Sequence, residues 1–250
     1  MQKSDKKFVY HRALNTPEAF EDFLQKEAKS EVTLVAEGDI CWSFIDGAFI
    51  TYIHHPALHG KSLSDAEIKE LLAKGELFTL EKLFAMSSDV HFILELKTGR
   101  GNLEQFFQHF GALLERYGVQ NLLVDAFSVE QLRELKRVLP QIKTSLHTKF
   151  IFKNYLLEST FEKPYFRLHN IYDLAFIDTL TISYASTHLN ILNLDIDKAY
   201  KEVYKAQKTL NLGAIKSLSN LSKAVQSQSD YIYLRSKEVL NGYTNLLKTH

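Results

Sequence analysis

The sequence predicts an α/β fold, a (β/α)8 TIM barrel built as a single domain over residues 1–250. Short apolar runs rich in β-branched and aromatic residues alternate with longer stretches of helical periodicity, the pattern of repeated βα units. Eight or so such strands in 250 residues suit a closed barrel better than an open doubly wound sheet. His11, Glu37, Asp39, His54, Glu95 and Lys97 all fall at the C-terminal ends of their strands. A barrel gathers those ends at one mouth, the usual place for catalysis, whereas two separate domains would scatter them.

Strands are read at residues 7–11, 32–40, 49–54, 91–97, 121–127, 144–150, 178–184, 210–216 and 230–234, with helical segments between them. The first helix opens at Asn15-Thr16-Pro17-Glu18-Ala19-Phe20, with Thr16 as N-cap and Pro17 at the first helical position, where its missing N–H costs nothing. Further helices are expected over 64–73, 102–117, 129–138, 196–208, 219–227 and 236–248. In the 129–138 segment, Leu132 and Leu135 share one face with the charges turned away, so it is amphipathic. The four prolines and ten glycines are scattered, and no Ser/Gly-rich stretch or long run of like charge marks a linker.

Composition excludes several classes of function. Thirty basic and thirty acidic residues give a formal net charge of zero, so no overall field draws in nucleic acid or an anionic membrane surface, and any phosphate recognition is local. The twelve tyrosines and seventeen phenylalanines read as core and pocket lining, because no basic stripe interleaves them as nucleic acid binding would need. The lone Cys41 excludes an intramolecular disulfide or a thiolate metal cluster and fits a reducing compartment. MQKSDKKFVYHR lacks the apolar core of a signal peptide, and no run of about 18 apolar residues spans a bilayer, so a cytoplasmic protein is expected. The oligomeric state is not legible.

The strongest chemical signal is charge at strand spacing inside apolar runs. It occurs at His11-Arg12 after FVY, at Glu37-Gly38-Asp39 in VTLVAEGDI, and at Glu95-Leu96-Lys97 in FILELK. Side chains two apart on a strand point the same way, which puts Glu37 with Asp39, and Glu95 with Lys97, into a common space. A carboxylate buried in a strand costs several kcal/mol unless a cation compensates it, so folding alone rarely selects such residues. Taken singly, Glu95 with Lys97 also fits a buried salt bridge in the barrel wall; the joint pattern points to a site.

FVYHRA followed by NTPEAF, then AEGDI, Asp46-Gly47, ITYIHHPAL, Phe78-Thr79-Leu80-Glu81 and FILELK resemble, in order and approximate spacing, the glycerophosphodiester phosphodiesterases. The pattern in that family runs His-Arg-Gly, Glu-Asn-Thr, Glu-x-Asp, Asp-Gly, His-Asp, Thr-Leu and Glu-x-Lys. The resemblance is specific over residues 8–97 and weaker but continuous beyond, through LLVDAFSVEQLRELKRVLPQIKTSL, ISYAS, KTLNLGAIKS and DYIYLRS.

The resemblance implies that His11 and His54 are the catalytic histidines, that Glu37, Asp39 and Glu95 ligate one divalent cation, and that Arg12 and Lys97 hold the substrate phosphate. Each role suits its residue. Three carboxylates match Mg²⁺ or Ca²⁺, which prefer oxygen ligands. Cations stabilise charge that grows on phosphoryl oxygens during attack. Imidazoles exchange protons near neutral pH, so two of them form an acid and base pair on opposite sides of phosphorus. The implied substrate is a small-molecule phosphodiester, cleaved to glycerol 3-phosphate and an alcohol.

The chain also departs from the family. Ala13 replaces the glycine of His-Arg-Gly, a place where a positive φ or a close ligand approach would matter. Leu14 stands where Glu commonly precedes Asn-Thr, and His55 replaces the Asp after the second His. His55 reads as a neighbour of the site or a surface residue rather than a ligand, and His59, His91, His109, His147, His169 and His188 read as surface or satisfied polar residues. Lys216-Ser217-Leu218-Ser219 and Leu234-Arg235 replace Trp-Thr-Val-Asn and Thr-Asp at the last two strands. Lys216 and Arg235 are either ordinary surface cations or added positive charge for a second anionic group on the substrate. Two other readings stay open: a transfer that leaves a cyclic phosphate, and an inactive barrel that binds a phosphorylated ligand or partner.

Overall fold

The computed structural model describes residues 6–56, 61–148, 151–152, 155–159, 166–183, 201, 203–215, 217–227, 229–235 and 239. Strand β1 (Lys7–Tyr10) leads into helix α1 (Pro17–Glu27), where Thr16 accepts a hydrogen bond from the Ala19 amide at 3.2 Å and Pro17 sits in the first turn, as expected. Strand β2 (Leu34–Ile45) and strand β3 (Ala48–Ile53) follow, then α2 (Asp65–Ala73), closed at its start by a reciprocal capping box between Ser64 and Glu67. Next come α3 (Leu80–Met86), β4 (His91–Arg100), α4 (Leu103–Tyr117), β5 (Leu122–Ala126), α5 (Val129–Val138) and β6 (Lys143–Thr148). Asn102 caps α4, and Gly118 ends it in the left-handed conformation at φ 67°, which costs a residue without Cβ little. Leu132 and Leu135 of α5 are buried, as its amphipathic pattern requires.

Three short strands, β7 (Ile151–Phe152), β8 (Tyr155–Ser159) and β9 (Phe166–Asn170), form a separate antiparallel sheet, which periodicity did not reveal. The chain then returns through β10 (Thr179–Ser183), β11 (Thr209–Ile215), α6 (Leu218–Gln226) and β12 (Tyr231–Leu234). Of the helix expected over 196–208, residues 201 and 203–205 are helical, while 196–200 and 202 lie outside the described residues. The helix expected over 236–248 lies outside them except for residue 239.

Eight strands close the barrel, each parallel to both neighbours, in the order β1, β2, β4, β5, β6, β10, β11, β12 and back to β1. The run at 49–54, expected to be one of a series of βα strands, is instead antiparallel to β2 and stands outside the closed ring. The reason is the turn: Asp46 at φ 52° and Gly47 at φ 84° make a two-residue hairpin connection that returns the chain at once, leaving no room for a crossover. Strands β2 and β4 continue beyond the ring to pair Trp42 with Gly99 and Ser43 with Arg100, so this side of the barrel carries a raised wall. Gly99 is required there, because a Cβ would fall inside the Trp42 indole, which itself stacks on Phe106 at 4.2 Å.

Alternation divides the strands between two environments. Phe8, Leu34, Phe92, Val124, Leu146, Leu180, Leu210 and Ile232 face outward and join the main core with residues such as Phe20, Phe107, Leu132 and Leu221 of the surrounding helices. Val9, Val35, Ile93, Leu123 and Tyr233 form a smaller cluster inside the ring. The next inward positions toward the carboxyl ends are polar.

Candidate active site

Register alone builds the centre. Asp39 of β2 lies opposite Glu95 of β4, and Glu95 opposite Asp125 of β5, so three carboxylates share one level of the ring, with Glu37 one inward position below Asp39. Glu37, Asp39, Glu95 and Asp125 are each at most 5% exposed. Ligand atoms of Glu37, Asp39 and Glu95 lie within 4.8 Å of one another, so these three sequence-predicted residues do meet. Gly38 between the first two is needed for packing: a Cβ there would lie 2.5 Å from Cβ of Leu14.

His11 joins this group from the end of β1, its Nδ1 lying 2.9 Å from Glu37 Oε2. The Arg12 amide donates to the same oxygen at 2.6 Å. This contact explains the left-handed backbone of Arg12 at φ 66°: the strained residue turns its own N–H into the barrel. Ala13 shows no such φ, so the alanine in place of the family glycine is accommodated, and the left-handed residue is its neighbour. Lys97 lies between two carboxylates, its Nζ 3.0 Å from Asp39 Oδ1 and in contact with Glu95 Oε1.

His54 arrives by the hairpin. Its amide donates to the Asp39 carbonyl at 2.9 Å, which fixes β3 against the rim, and its buried ring pairs Nε2 with the Lys61 carbonyl at 3.0 Å. His55 is half-buried. Burial first, then the charges of Lys97 and Arg12, push its imidazole down to about 4, so it lies within the field of these two cations. Arg235 follows β12 at the same end and is partly exposed, its amide donating to the Ile215 carbonyl at 3.0 Å. Lys216, His59 and His188 lie outside the described residues.

One reading is corrected. His147, taken as a surface or satisfied polar residue, is buried in the centre, its Nδ1 2.9 Å from Asp125 Oδ2 and 3.7 Å from Glu95 Oε2. The ring stacks flat on Phe127 at 4.5 Å. Asp125 was missed as well, although LLVDA, like AEGDI, sets a carboxylate inside an apolar strand. His91 opens β4 at the opposite end of the barrel, His109 belongs to α4, and His169 to β9.

The charges act strongly on each other. Burial pushes Glu37 up, but the imidazole of His11, the Arg12 amide and Lys97 outweigh it and bring its carboxyl down to about 2. Asp39 is held well above the usual carboxylate range by burial and by repulsion from Glu37 and Glu95, against the pull of Lys97. Burial also raises Glu95, opposed by Lys97 and His147. The Lys97 ammonium is disfavoured by burial yet raised overall by Glu95 and Asp39. Excess negative charge therefore collects at one point in a water-poor space, the condition under which a cation binds. Two buried oxygens, Glu37 Oε1 and Asp39 Oδ2, make no hydrogen bond among the described residues, and both belong to the candidate ligands, so the residues fit a hard divalent ion.

Fold and site together define a parallel α/β barrel with an acidic centre, flanked by imidazole and ammonium, at its carboxyl mouth. No protein-family model matches the sequence, and no curated protein matches it either. Solved structures match the fold across the whole chain. A glycerophosphodiester phosphodiesterase from Parabacteroides distasonis superposes with a TM-score of 0.67 at 15% identity, covering 99% of both chains. One from Agrobacterium tumefaciens gives 0.59 at 16% identity, covering 96% of this chain and 99% of the other. A phosphodiesterase from Oleispira antarctica in complex with the product sn-glycerol-3-phosphate gives 0.60 at 18% identity, covering 91% and 92%. Among the described residues, no helix is long and apolar enough to cross a membrane.

Proposed function

We propose that the protein is a metal-dependent phosphodiester hydrolase that cleaves glycerophosphodiesters to glycerol 3-phosphate and an alcohol. The observation that carries this reading is the meeting of Glu37, Asp39 and Glu95 beside Lys97 and His11 at the barrel mouth, in the order the sequence motifs anticipate. The match in fold to structures described as phosphodiesterases, one holding sn-glycerol-3-phosphate, supports the substrate class.

Glu37, Asp39 and Glu95 would hold one Mg²⁺ or Ca²⁺. Such an ion polarises a phosphoryl oxygen and offsets the charge that develops on it. Lys97 and Arg12 supply further positive charge to the same oxygens, stabilising the transition state more than the bound diester. Glu37 orients His11 by facing its Nδ1, which directs Nε2 to proton transfer. The Lys61 carbonyl fixes His54 with its proton on Nε2, leaving Nδ1 as the basic nitrogen. One imidazole takes the proton from the attacking water or hydroxyl; the other protonates the departing alkoxide. Arg235, at the rim beside His11, adds charge for a second anionic group. The cytoplasm, suggested by the single cysteine, is the compartment that goes with this reading.

Purified protein should hydrolyse glycerophosphodiesters or bis(p-nitrophenyl) phosphate in the presence of Mg²⁺ or Ca²⁺. His11→Ala and His54→Ala should each lower kcat by about 10²- to 10⁴-fold, the usual worth of a general acid or base. Absence of turnover with either ion would replace this reading with that of a binding barrel. Phosphorus NMR of the product separates an open monoester from a cyclic phosphate.

A further inference from the structure

We infer that Glu95, Asp125 and His147 form a second divalent-cation site, adjoining the first and sharing Glu95 with it. Ligand atoms of these three residues lie within 4.8 Å of one another. The donor set differs from the first: two carboxylates and an imidazole suit borderline ions of the Zn²⁺, Co²⁺ or Mn²⁺ kind better than Ca²⁺. Glu95 is placed to serve both, with Oε1 toward Lys97 and Oε2 3.7 Å from His147 Nδ1.

The independent observation is the state of Asp125. Its side chain is fully buried, yet neither carboxylate oxygen accepts a hydrogen bond among the described residues. His147 Nδ1 is 2.9 Å away and likewise makes none, so the pair approaches without the alignment of an N–H donor and its acceptor. The two atoms form a buried ion pair, and a cation between them would draw the lone pairs of both onto one point. Phe127 lies parallel to the imidazole at 8° and holds the ring plane that directs Nδ1 at the carboxylates. Nor does the rest of the barrel supply Asp125 with a partner: its cross-strand neighbour Ser145 bonds to Thr181 Oγ1 at 2.8 Å instead. Its close partner is His147, itself a metal-ligating group, so a carboxylate buried with both oxygens outside any hydrogen bond among the described residues is open to a cation.

The inference rests on the proposed function through the shared Glu95, while its other two donors, Asp125 and His147, are ones the hydrolytic scheme leaves unused. Equilibrium dialysis of the full chain against Co²⁺, with metal analysis, tests both. Wild-type protein should bind two equivalents, and Asp125→Asn and His147→Gln one each. A paramagnetically shifted imidazole N–H resonance should vanish in His147→Gln. Glu37→Gln should lose the other equivalent and keep that resonance. A single wild-type equivalent, lost in Glu37→Gln and unaffected by Asp125→Asn and His147→Gln, would overturn the second site and leave the first. A single equivalent with the reverse dependence would uphold the second site against the first. Two equivalents that survive both Asp125→Asn and His147→Gln would place the second ion elsewhere and overturn the inference.

Discussion

On the arc of the barrel from β1 through β2, β4 and β5 to β6, every strand or strand end delivers an ionisable group to the mouth: His11, Glu37 with Asp39, Glu95 with Lys97, Asp125 and His147. On the remaining arc, β10, β11 and β12 turn Thr181, Asn211 and Tyr233 into the same interior. These are neutral: Asn211 Nδ2 donates to Thr181 Oγ1 at 3.0 Å, and burial together with the carboxylates Asp125, Glu37 and Glu95 holds the Tyr233 hydroxyl well above its ordinary pKa. The carboxylates of the first arc are as buried as the neutral groups of the second, so burial does not account for the difference. Charge gathers on the side where the proposed metal and phosphoryl group would neutralise one another, and the interior side chains of the opposite arc are uncharged.

The largest effect that bears on this contrast is expected on the charged arc. Lys97→Ala should lower kcat by about 10²- to 10³-fold, as loss of one charge-stabilising donor does. It should also destabilise the ion-free protein by roughly 3–5 kcal/mol, since two buried carboxylates lose their partner. Steady-state kinetics and denaturant titration read the two effects separately, and an unchanged kcat would dissolve the distinction between the arcs. Asn211→Ala, on the neutral arc, should cost about 1–3 kcal/mol of stability while leaving kcat near wild type. A collapse of kcat there would show that both arcs take part in the chemistry.

The pH response offers a smaller signal. His55 should titrate near pH 4 by NMR, because its folded-state pKa falls below the ordinary 6.5 to about 4. The unfolded chain then takes up a proton that the folded one refuses. The stability His55 contributes is therefore present above pH 6.5 and declines as pH falls toward 4, and His55→Asn should remove that portion of the slope. An ordinary midpoint would detach His55 from the cationic rim. The smallest change is expected for Tyr233→Phe, which deletes a buried hydroxyl beside Asn211 and should shift stability by about 1 kcal/mol in thermal unfolding.

The sequence was most legible where alternation and burial contradict each other. Glu37, Asp39 and Glu95 stand inside apolar runs at positions that must face the ring, and that conflict identified them. Asp125 meets the same criterion, but no second charge on its strand marks a shared face. His147 was hidden for a different reason. KTSLHT mixes polar and apolar residues like a half-exposed strand, and only closure of the barrel makes its polar face interior. The hairpin at β2 and β3 was marked by Asp46-Gly47, yet its apolar run reads like any barrel strand until pairing direction is known. The sheet of β7, β8 and β9 rests on pairings among short segments that carry no distinctive period.

The position of Lys97 has one more consequence. Its ammonium already lies against Asp39 and Glu95, so the chain carries an internal counter-ion at the spot where negative charge is densest. Chain collapse need not wait for a mineral partner, unlike in small metallodomains that unfold when stripped. Chelation should therefore silence the protein without melting it, and an arriving ion would have only a tethered side chain to displace.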